Sequence, residues 1–378
     1  MAGPLPAEAW AIALAGLPEM GPSRFRAVLQ GREPVEAWEA VAAGRGAALL
    51  AKAGIGGVPS ELAARWQRAA GAADVEETWE RHRSFGVGVA LEGALGYPSA
   101  FVGDVDPPVL VFSLGDPAVL VGPRVAIVGT RSATRYGLDL AFELGLDLAR
   151  AGVGIVSGLA LGIDGAAHAG ALDAGGSPGV GPPIAVVGSG LDVLYPAAHR
   201  SLWRAVAARG VVLSEAPLGC RPQRWRFPAR NRLIAALADV VVVVESQEKG
   251  GSMLTVEEAL RRDRPVMAVP GPVRSRSSAG TNRLLGDCAM PVADAGDVLV
   301  ALGLTAGIGR SARDARPEPD LSARVVLDAL GWQPASVDQL VLRTGLELGK
   351  LLVQLDALSA SGWVAERAGW YEQVAVAS

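Results

Sequence analysis

The sequence predicts an α/β protein centred on a Rossmann-like, doubly wound parallel sheet, with a small helical domain before it and another small domain after it. Between residues 124 and 269, six short apolar runs alternate with helical stretches. Runs that are apolar at every position belong to strands buried on both faces. Helices between such strands supply the right-handed crossovers that a parallel sheet requires. The number of domains follows from size, because 378 residues exceed one ordinary hydrophobic core.

Residues 1–75 read as short helices. In GLPEMGPSRFRAVL, a Gly-Pro turn precedes Phe25, Val28 and Leu29 at helical spacing. This resembles a helix-hairpin-helix or SAM-like unit, and its acidic balance favours a scaffolding role. Residues 76–121 read as a connector with short strands, marked by Tyr97-Pro98, Asp106-Pro107-Pro108 and the apolar run Val109 to Phe112. In the core, residues 122–305, strands are expected at 124–128, 153–156, 184–187, 211–213, 240–244 and 265–269. Helices are expected near 134–151, 164–174, 198–209, 229–238 and 252–262. Residues 306–319 (AGIGRSARDARPEP) have the composition of a linker. In residues 320–378, LSARVVLDAL, SVDQLVLRTG (with Ser336 as N-cap) and LELGKLLVQLDALSASG give three helices, and WVAERAGWYEQV gives a two-stranded wing. That order is a winged helix. A helix that reads DNA should be basic on its exposed face; the third helix offers Glu347, Lys350 and Asp356, which favours packing or protein contact.

The net charge is -4, but it is unevenly placed. Residues 1–121 carry -5, 122–305 carry +3, 306–319 carry +1 and 320–378 carry -3. The core is therefore the basic part of an acidic chain. No apolar run approaches the ~20 residues that span a bilayer, and MAGPLPAEAW lacks the basic-then-apolar pattern of a secretion signal. Cys220 and Cys288, without a pattern, suggest a reducing cytoplasm and no disulfide framework. The histidines His82, His168 and His199 are scattered, so no structural metal is expected.

Ligands of doubly wound sheets bind beyond the carboxyl ends of the strands. After the first core strand come Gly129, Thr130, Arg131 and Ser132, a tight turn with hydroxyls, amides and a guanidinium suited to phosphate. Arg131 stands where a dinucleotide fingerprint needs its second glycine, and no acid follows the second strand, so a dinucleotide cofactor is not expected. No GxxxxGK[ST] loop occurs, which excludes a P-loop ATPase. The second strand opens into Ser157, Gly158, Gly162, Asp164 and His168. Asp164 suits a helix N-cap, and His168 suits a hydrogen-bonded core histidine; an acid–base pair or a phosphate clamp is the functional alternative. The third strand leads to Gly188-Ser189-Gly190-Leu191-Asp192 and Tyr195-Pro196.

The most informative stretch follows the fourth strand. In CRPQRWRFPARNR, Arg221, Arg224, Arg226, Arg230 and Arg232 are interleaved with Trp225 and Phe227. Arginines that meet phosphates beside aromatics that stack on bases are the chemistry of single-strand binding. Asn231 and Arg232 are expected at a helix start, whose dipole also favours phosphate. Lys249 and the run Gly250 to Thr255 follow the fifth strand, and Pro270-Gly271-Pro272 and Gly280-Thr281-Asn282 follow the sixth. These close a ring of small polar loops. Asp164, Glu215 and Glu245 read as structural ligands for nearby arginines, with a catalytic role as the alternative.

Taken in order, Gly129-Thr130-Arg131, Ser157 to Asp164, His168, Gly188, Gly190 to Asp192, Tyr195-Pro196, Ser214-Glu215, Phe227 to Arg232, Gly251-Ser252, Pro270-Gly271 and Gly280 to Asn282 resemble the DprA (Smf) family of DNA-processing proteins. The flanking SAM-like and winged-helix units extend the resemblance over almost the whole chain. It implies a non-catalytic, cofactor-free cytoplasmic protein that binds incoming single-stranded DNA in natural transformation. It also implies loading of RecA on that strand and a homodimer formed through the core. Carried over residue by residue, the pocket would use Arg131, the amides around Ser157-Gly158, and Arg224, Phe227, Arg230 and Arg232. The family often has a lysine after Tyr-Pro; here Ala197 and Ala198 follow, and His199 and Arg200 are the basic residues of that corner. The dimer surface would fall near Leu284 and Leu285. The competing class is a nucleotide-processing enzyme of the phosphoribohydrolase type, which has a related sheet. It needs a PGGxGTxxE-like loop, and Glu248 to Thr255 does not match one.

Overall fold

The computed structural model describes residues 4–56, 60–94, 96–287, 289–304, 316–331 and 333–374. Six helices come first: α1 (Ala7–Ala15), α2 (Pro22–Leu29), α3 (Pro34–Ala42), α4 (Gly46–Lys52), α5 (Ser60–Ala72) and α6 (Val75–Phe85). The Gly-Pro turn starts α2 as expected, with Pro22 in the first turn, where its missing N–H costs nothing. Trp66 of α5 is fully buried, and its Nε1 donates to the Pro18 carbonyl at 2.7 Å. Asp74 caps α6 by accepting from the Glu77 amide, and Gly86 ends the helix at φ +78°. The helical region thus runs to residue 85.

Strands β1 (Gly88–Leu91), β2 (Leu110–Gly115), β3 (Arg124–Val128), β4 (Gly154–Ser157), β5 (Pro183–Val187), β6 (Val211–Ser214), β7 (Val240–Val243), β8 (Val266–Ala268) and β9 (Met290–Pro291) form one sheet in the order β1-β2-β6-β5-β4-β3-β7-β8-β9. Pairing from β6 through β9 is parallel. The six apolar runs of the sequence are β3 to β8, each within one residue of its expected bounds. The segment read as a connector does more than connect. Its strands β1 and β2 extend the sheet with antiparallel pairing, Phe112 opposite Ser214.

Helices α7 (Arg135–Arg150), α8 (Ile163–Asp173), α9 (Arg200–Arg209), α10 (Arg226–Leu237), α11 (Gly251–Leu260), α12 (Ala279–Gly286) and α13 (Ala295–Ala301) cover the sheet. Strand residues alternate between the two faces. Ala126, Val128, Val241 and Val243 pack with α10 and α11, whereas Val125, Ile127, Val240 and Val242 pack with α7 and α8. On the β2-β6-β5 side, Phe112, Val212 and Ala185 join one core with the N-terminal helices and Trp203 of α9. The helical unit is therefore fused to the sheet through a shared core.

The C-terminal unit consists of α14 (Leu321–Leu330), β10 (Ala335–Ser336), α15 (Val337–Thr344), α16 (Leu348–Ala360), β11 (Val364–Arg367) and β12 (Trp370–Gln373). Ser336 caps α15 in a reciprocal box with Gln339. The wing is three-stranded, ordered β10-β12-β11, because Ala335 and Ser336 pair with Tyr371 and Trp370. Most of the segment read as a linker lies outside the described residues. At its end, the Arg316 guanidinium lies 3.9 Å from the Trp363 ring centroid and donates to the Gly362 and Val374 carbonyls. Strand β12 packs on α7, where the Glu372 carboxylate accepts from the Arg135 amide.

Candidate nucleic-acid interface

The strand order sets β3 beside β7, the place where the crossovers reverse and where such sheets bind ligands. A cleft of about 360 Å³ opens there, lined by Gly129, Thr130, Arg131, Asp164, Phe227, Arg230, Asn231 and the start of α11 at Gly251, Ser252 and Thr255. That volume is in the range of small-ligand clefts, enough for a nucleotide unit.

Its floor is built from close backbone approaches. A Cβ on Gly129 would lie 2.5 Å from Ile163 and 2.8 Å from the Glu245 carbonyl, so only glycine lets the end of β3 pass there. A Cβ on Gly158 would lie 2.1 Å from Arg230 Nη1. The freed space holds the Arg230 guanidinium, which donates to the Val186 carbonyl and is buried. Burial lowers its pKa to about 10, against the opposing pull of Asp164. Asp164, also buried, has its pKa raised by desolvation, while Arg230 and the Ala160 and Gly158 amides pull the other way. These two groups form a charge pair beneath the cleft. His168 is fully buried, and desolvation depresses its pKa to about 3, so the ring is neutral.

Above this floor, Arg131 is exposed, and its guanidinium carbon sits 5.0 Å from the Phe227 ring centroid. The Tyr195 ring also lies 5.8 Å from Phe227, tilted by 40°. A cation, a phenyl ring and a phenol thus share one partly exposed platform. Such a surface can stack a base while its cation meets the adjoining phosphate.

The arginine–aromatic run is not a loop throughout. From Arg226 it is the start of α10, with Pro228 tolerated in the first turn. Helical geometry divides its side chains. Phe227, Arg230 and Asn231 line the switch-point cleft, whereas Trp225, Arg226 and Ala229 line a hollow against Gly21 and Pro22 of the N-terminal unit. The Arg226 guanidinium lies 4.5 Å from the Trp225 ring centroid.

Several residues expected at the pocket hold the cleft together instead. The Ser157 hydroxyl donates to the Ile127 carbonyl at 2.7 Å, and the Gly158 amide donates to Asp164 at 3.1 Å, so neither group is free for phosphate. Arg232 is buried away from the cleft, paired with Glu215 and lying 3.3 Å from Asp106 Oδ2. His199 Nδ1 is 3.1 Å from the Leu159 carbonyl, and the ring packs on Gly165. Asp164 is not an N-cap: α8 begins at Ile163, and the carboxylate serves Gly158. Glu215 has an arginine partner as expected, but Glu245 instead accepts from the Thr134 amide and hydroxyl at 2.9 and 2.6 Å. The Thr130 amide donates to the Glu245 carbonyl at 2.8 Å, and its hydroxyl accepts from the Ser132 amide at 3.3 Å. Asn231 donates to the Gly251 carbonyl at 3.3 Å. Ser132, Arg200, Arg224 and Lys249 are exposed, outside the residues that line the cleft. Leu284 is buried in the core and Leu285 partly buried against it, so Leu284 is not a free anchor for a second copy. Tyr195, marked in the sequence by the loop after β5 and by the family resemblance but given no binding role there, joins this platform.

Residues 90–303 match the family model described as DNA recombination-mediator protein A, and residues 310–369 match the DprA winged helix domain. The chain is 42% identical over 266 residues to a DNA processing protein DprA of Mycobacterium tuberculosis, an alignment covering 68% of this chain and 66% of that protein. It thus spans just under two thirds of that relative's length. It is 36% identical over 222 residues to the DNA processing protein DprA of Bacillus subtilis, covering 58% and 73% of the two chains. Among solved structures, it is similar to DNA processing protein A of Streptococcus pneumoniae, with a TM-score of 0.64, 32% identity, and 78% and 96% coverage. It is also similar to the Helicobacter pylori protein described for its single-stranded DNA binding mode, with a TM-score of 0.51, 32% identity, and 57% and 95% coverage. Among the described residues, no helix is long and apolar enough to cross a membrane, and no cluster of three metal-ligating side chains occurs.

Proposed function

Because the chain belongs to the DNA recombination-mediator protein A family, we propose that it binds single-stranded DNA at the switch-point cleft and serves recombination of incoming strands. The observation that carries this reading is the platform of Arg131, Phe227 and Tyr195 beside a groove of glycines and hydroxyls. A base stacks on the rings, and its phosphate meets Arg131. A base paired inside a duplex offers no free face to such a platform, which favours single strands. In the same reading, following what the family resemblance implies, the protein is a cytoplasmic homodimer that passes its strand to RecA.

The protein acts in this reading by holding DNA, without bond cleavage. Asp164 and Glu245 are engaged by backbone amides, Glu215 by Arg232, and His168 is buried. Among the described residues, no acid therefore stands free at the cleft. Release of free base from a panel of nucleoside monophosphates would overturn this part.

The test is fluorescence anisotropy with labelled oligothymidylate and a matching duplex at two salt concentrations. The single strand is expected to bind more tightly, and its affinity to fall with salt. Arg131→Ala is expected to weaken binding equally for all sequences and to reduce the salt slope by about 1. Failure to bind the single strand at low salt would refute the reading.

A further inference from the structure

We infer that the strand does not end at the switch-point cleft but continues around the first turn of α10 to a second base site on Trp225, against the N-terminal helical unit. The inference rests on the proposed single-strand reading and extends it.

The hollows adjoin one another, each sharing lining residues with the next. The cleft shares Arg131, Phe227 and Arg230 with a hollow beneath Tyr195. That hollow shares Val187, Gly188 and Arg230 with a third, which runs under Arg226 to Met20 and Phe25. The third shares Gly21, Pro22, Trp225 and Ala229 with an open groove of about 660 Å³ along Ser23, Arg24 and Gln223. The two intermediate hollows hold only about 50 and 40 Å³, room for a water or two and not for a base. Bases therefore lodge at the two wide ends, and the backbone crosses over the mouths of the narrow hollows between them.

The far end has the chemistry of a stacking site. Trp225 is 39% exposed, unusual for so large an apolar ring. Its orientation is fixed: Nε1 donates to Gln223 at 2.7 Å, Arg226 lies over its ring, and the ring edge packs on Gly21. A held, exposed indole loses little entropy when a base stacks on it. The surroundings are cationic. Glu19 lies between Arg24 and Arg65, one acid against two guanidinium groups, and Arg224 is exposed nearby. Arg226 Nε is buried and has no hydrogen-bond partner among the described residues, a donor suited to a phosphate crossing these hollows. The Gly-Pro turn of the N-terminal unit thus forms one wall of the DNA path.

The two sites separate by strand length. Anisotropy would compare oligothymidylates of ~4 and ~16 nucleotides, the range of single-strand site sizes. The full chain is expected to bind the longer strand more tightly. Trp225→Ala should weaken the longer strand about 5- to 150-fold and leave the shorter within about twofold. Trp225→Phe should restore most of the loss, and Arg24→Glu should weaken the longer strand alone, by about tenfold. Unchanged short-strand affinity certifies that each variant is folded. Equal loss on both lengths, or none on the longer, overturns the second site. A full chain that binds both lengths equally also overturns it, while leaving the switch-point cleft standing. Binding to neither length overturns both.

Discussion

Arg230 and Arg131 occur in the same chemistry but do different work. One is buried and holds the wall of the cleft through Val186 and Asp164; the other is exposed at the cleft. Gly158 is the condition for the first. Gly158→Ala is expected to push the Arg230 guanidinium off its seat and cost about 1–3 kcal/mol, because a buried donor loses its partner while the core is overpacked. A urea midpoint equal to that of the parent chain would refute this. His168 adds a pH dependence. Its pKa is depressed to about 3 when folded, against about 6.5 unfolded. The unfolded chain therefore takes up the proton first, so the stability this group leaves intact above pH 6.5 is lost as pH falls from there toward 3. At pH 5 the loss is about 2 kcal/mol. Urea unfolding of the parent and of His168→Gln at pH 7 and pH 5 should show that difference in slope. Parallel slopes would contradict it.

At the scale of elements, α7 and α10 show how helix starts are used in opposite ways. The start of α7 is closed within the protein. Thr134 caps it through the Gly137 amide, Glu245 holds Thr134, and Glu372 of the wing reaches the Arg135 amide. Glu245→Gln replaces an acceptor by a donor facing donors and is expected to cost about 1–3 kcal/mol, read as a lower urea midpoint at unchanged m-value. The start of α10 has no side-chain cap and carries Phe227 and Arg230 on the cleft side and Trp225 and Arg226 on the side of the N-terminal unit. The sequence showed the arginine–aromatic run but not its division. Period-3.6 geometry turns Phe227 and Trp225 to opposite sides, and that became visible only once the run was a helix instead of a loop.

For the whole molecule, the N-terminal helices share a core with the sheet, while the winged helix has its own. That core closes on Val326, Leu340, Leu351 and Leu355, and the unit touches the rest through β12 on α7. Its net charge of -3 repels phosphate. Removal of residues 306–378 is therefore expected to leave single-strand affinity within about threefold of the full chain by anisotropy. A collapse of binding would place the winged helix in the DNA path.

The sequence by itself determined the parallel sheet and its crossovers, since apolar runs buried on both faces have one economical arrangement. It also determined the winged-helix order and the loops that meet at the strand ends. Those features are local, written in periods of two and 3.6 and in turn residues. The tertiary structure decided which polar groups are free. Arg232 paired with Glu215, Ser157 turned to Ile127, Glu245 holding Thr134 and Leu284 facing the core are outcomes of long-range packing. A side chain's type limits what it can bind, but burial and its neighbours decide whether that capacity is already taken.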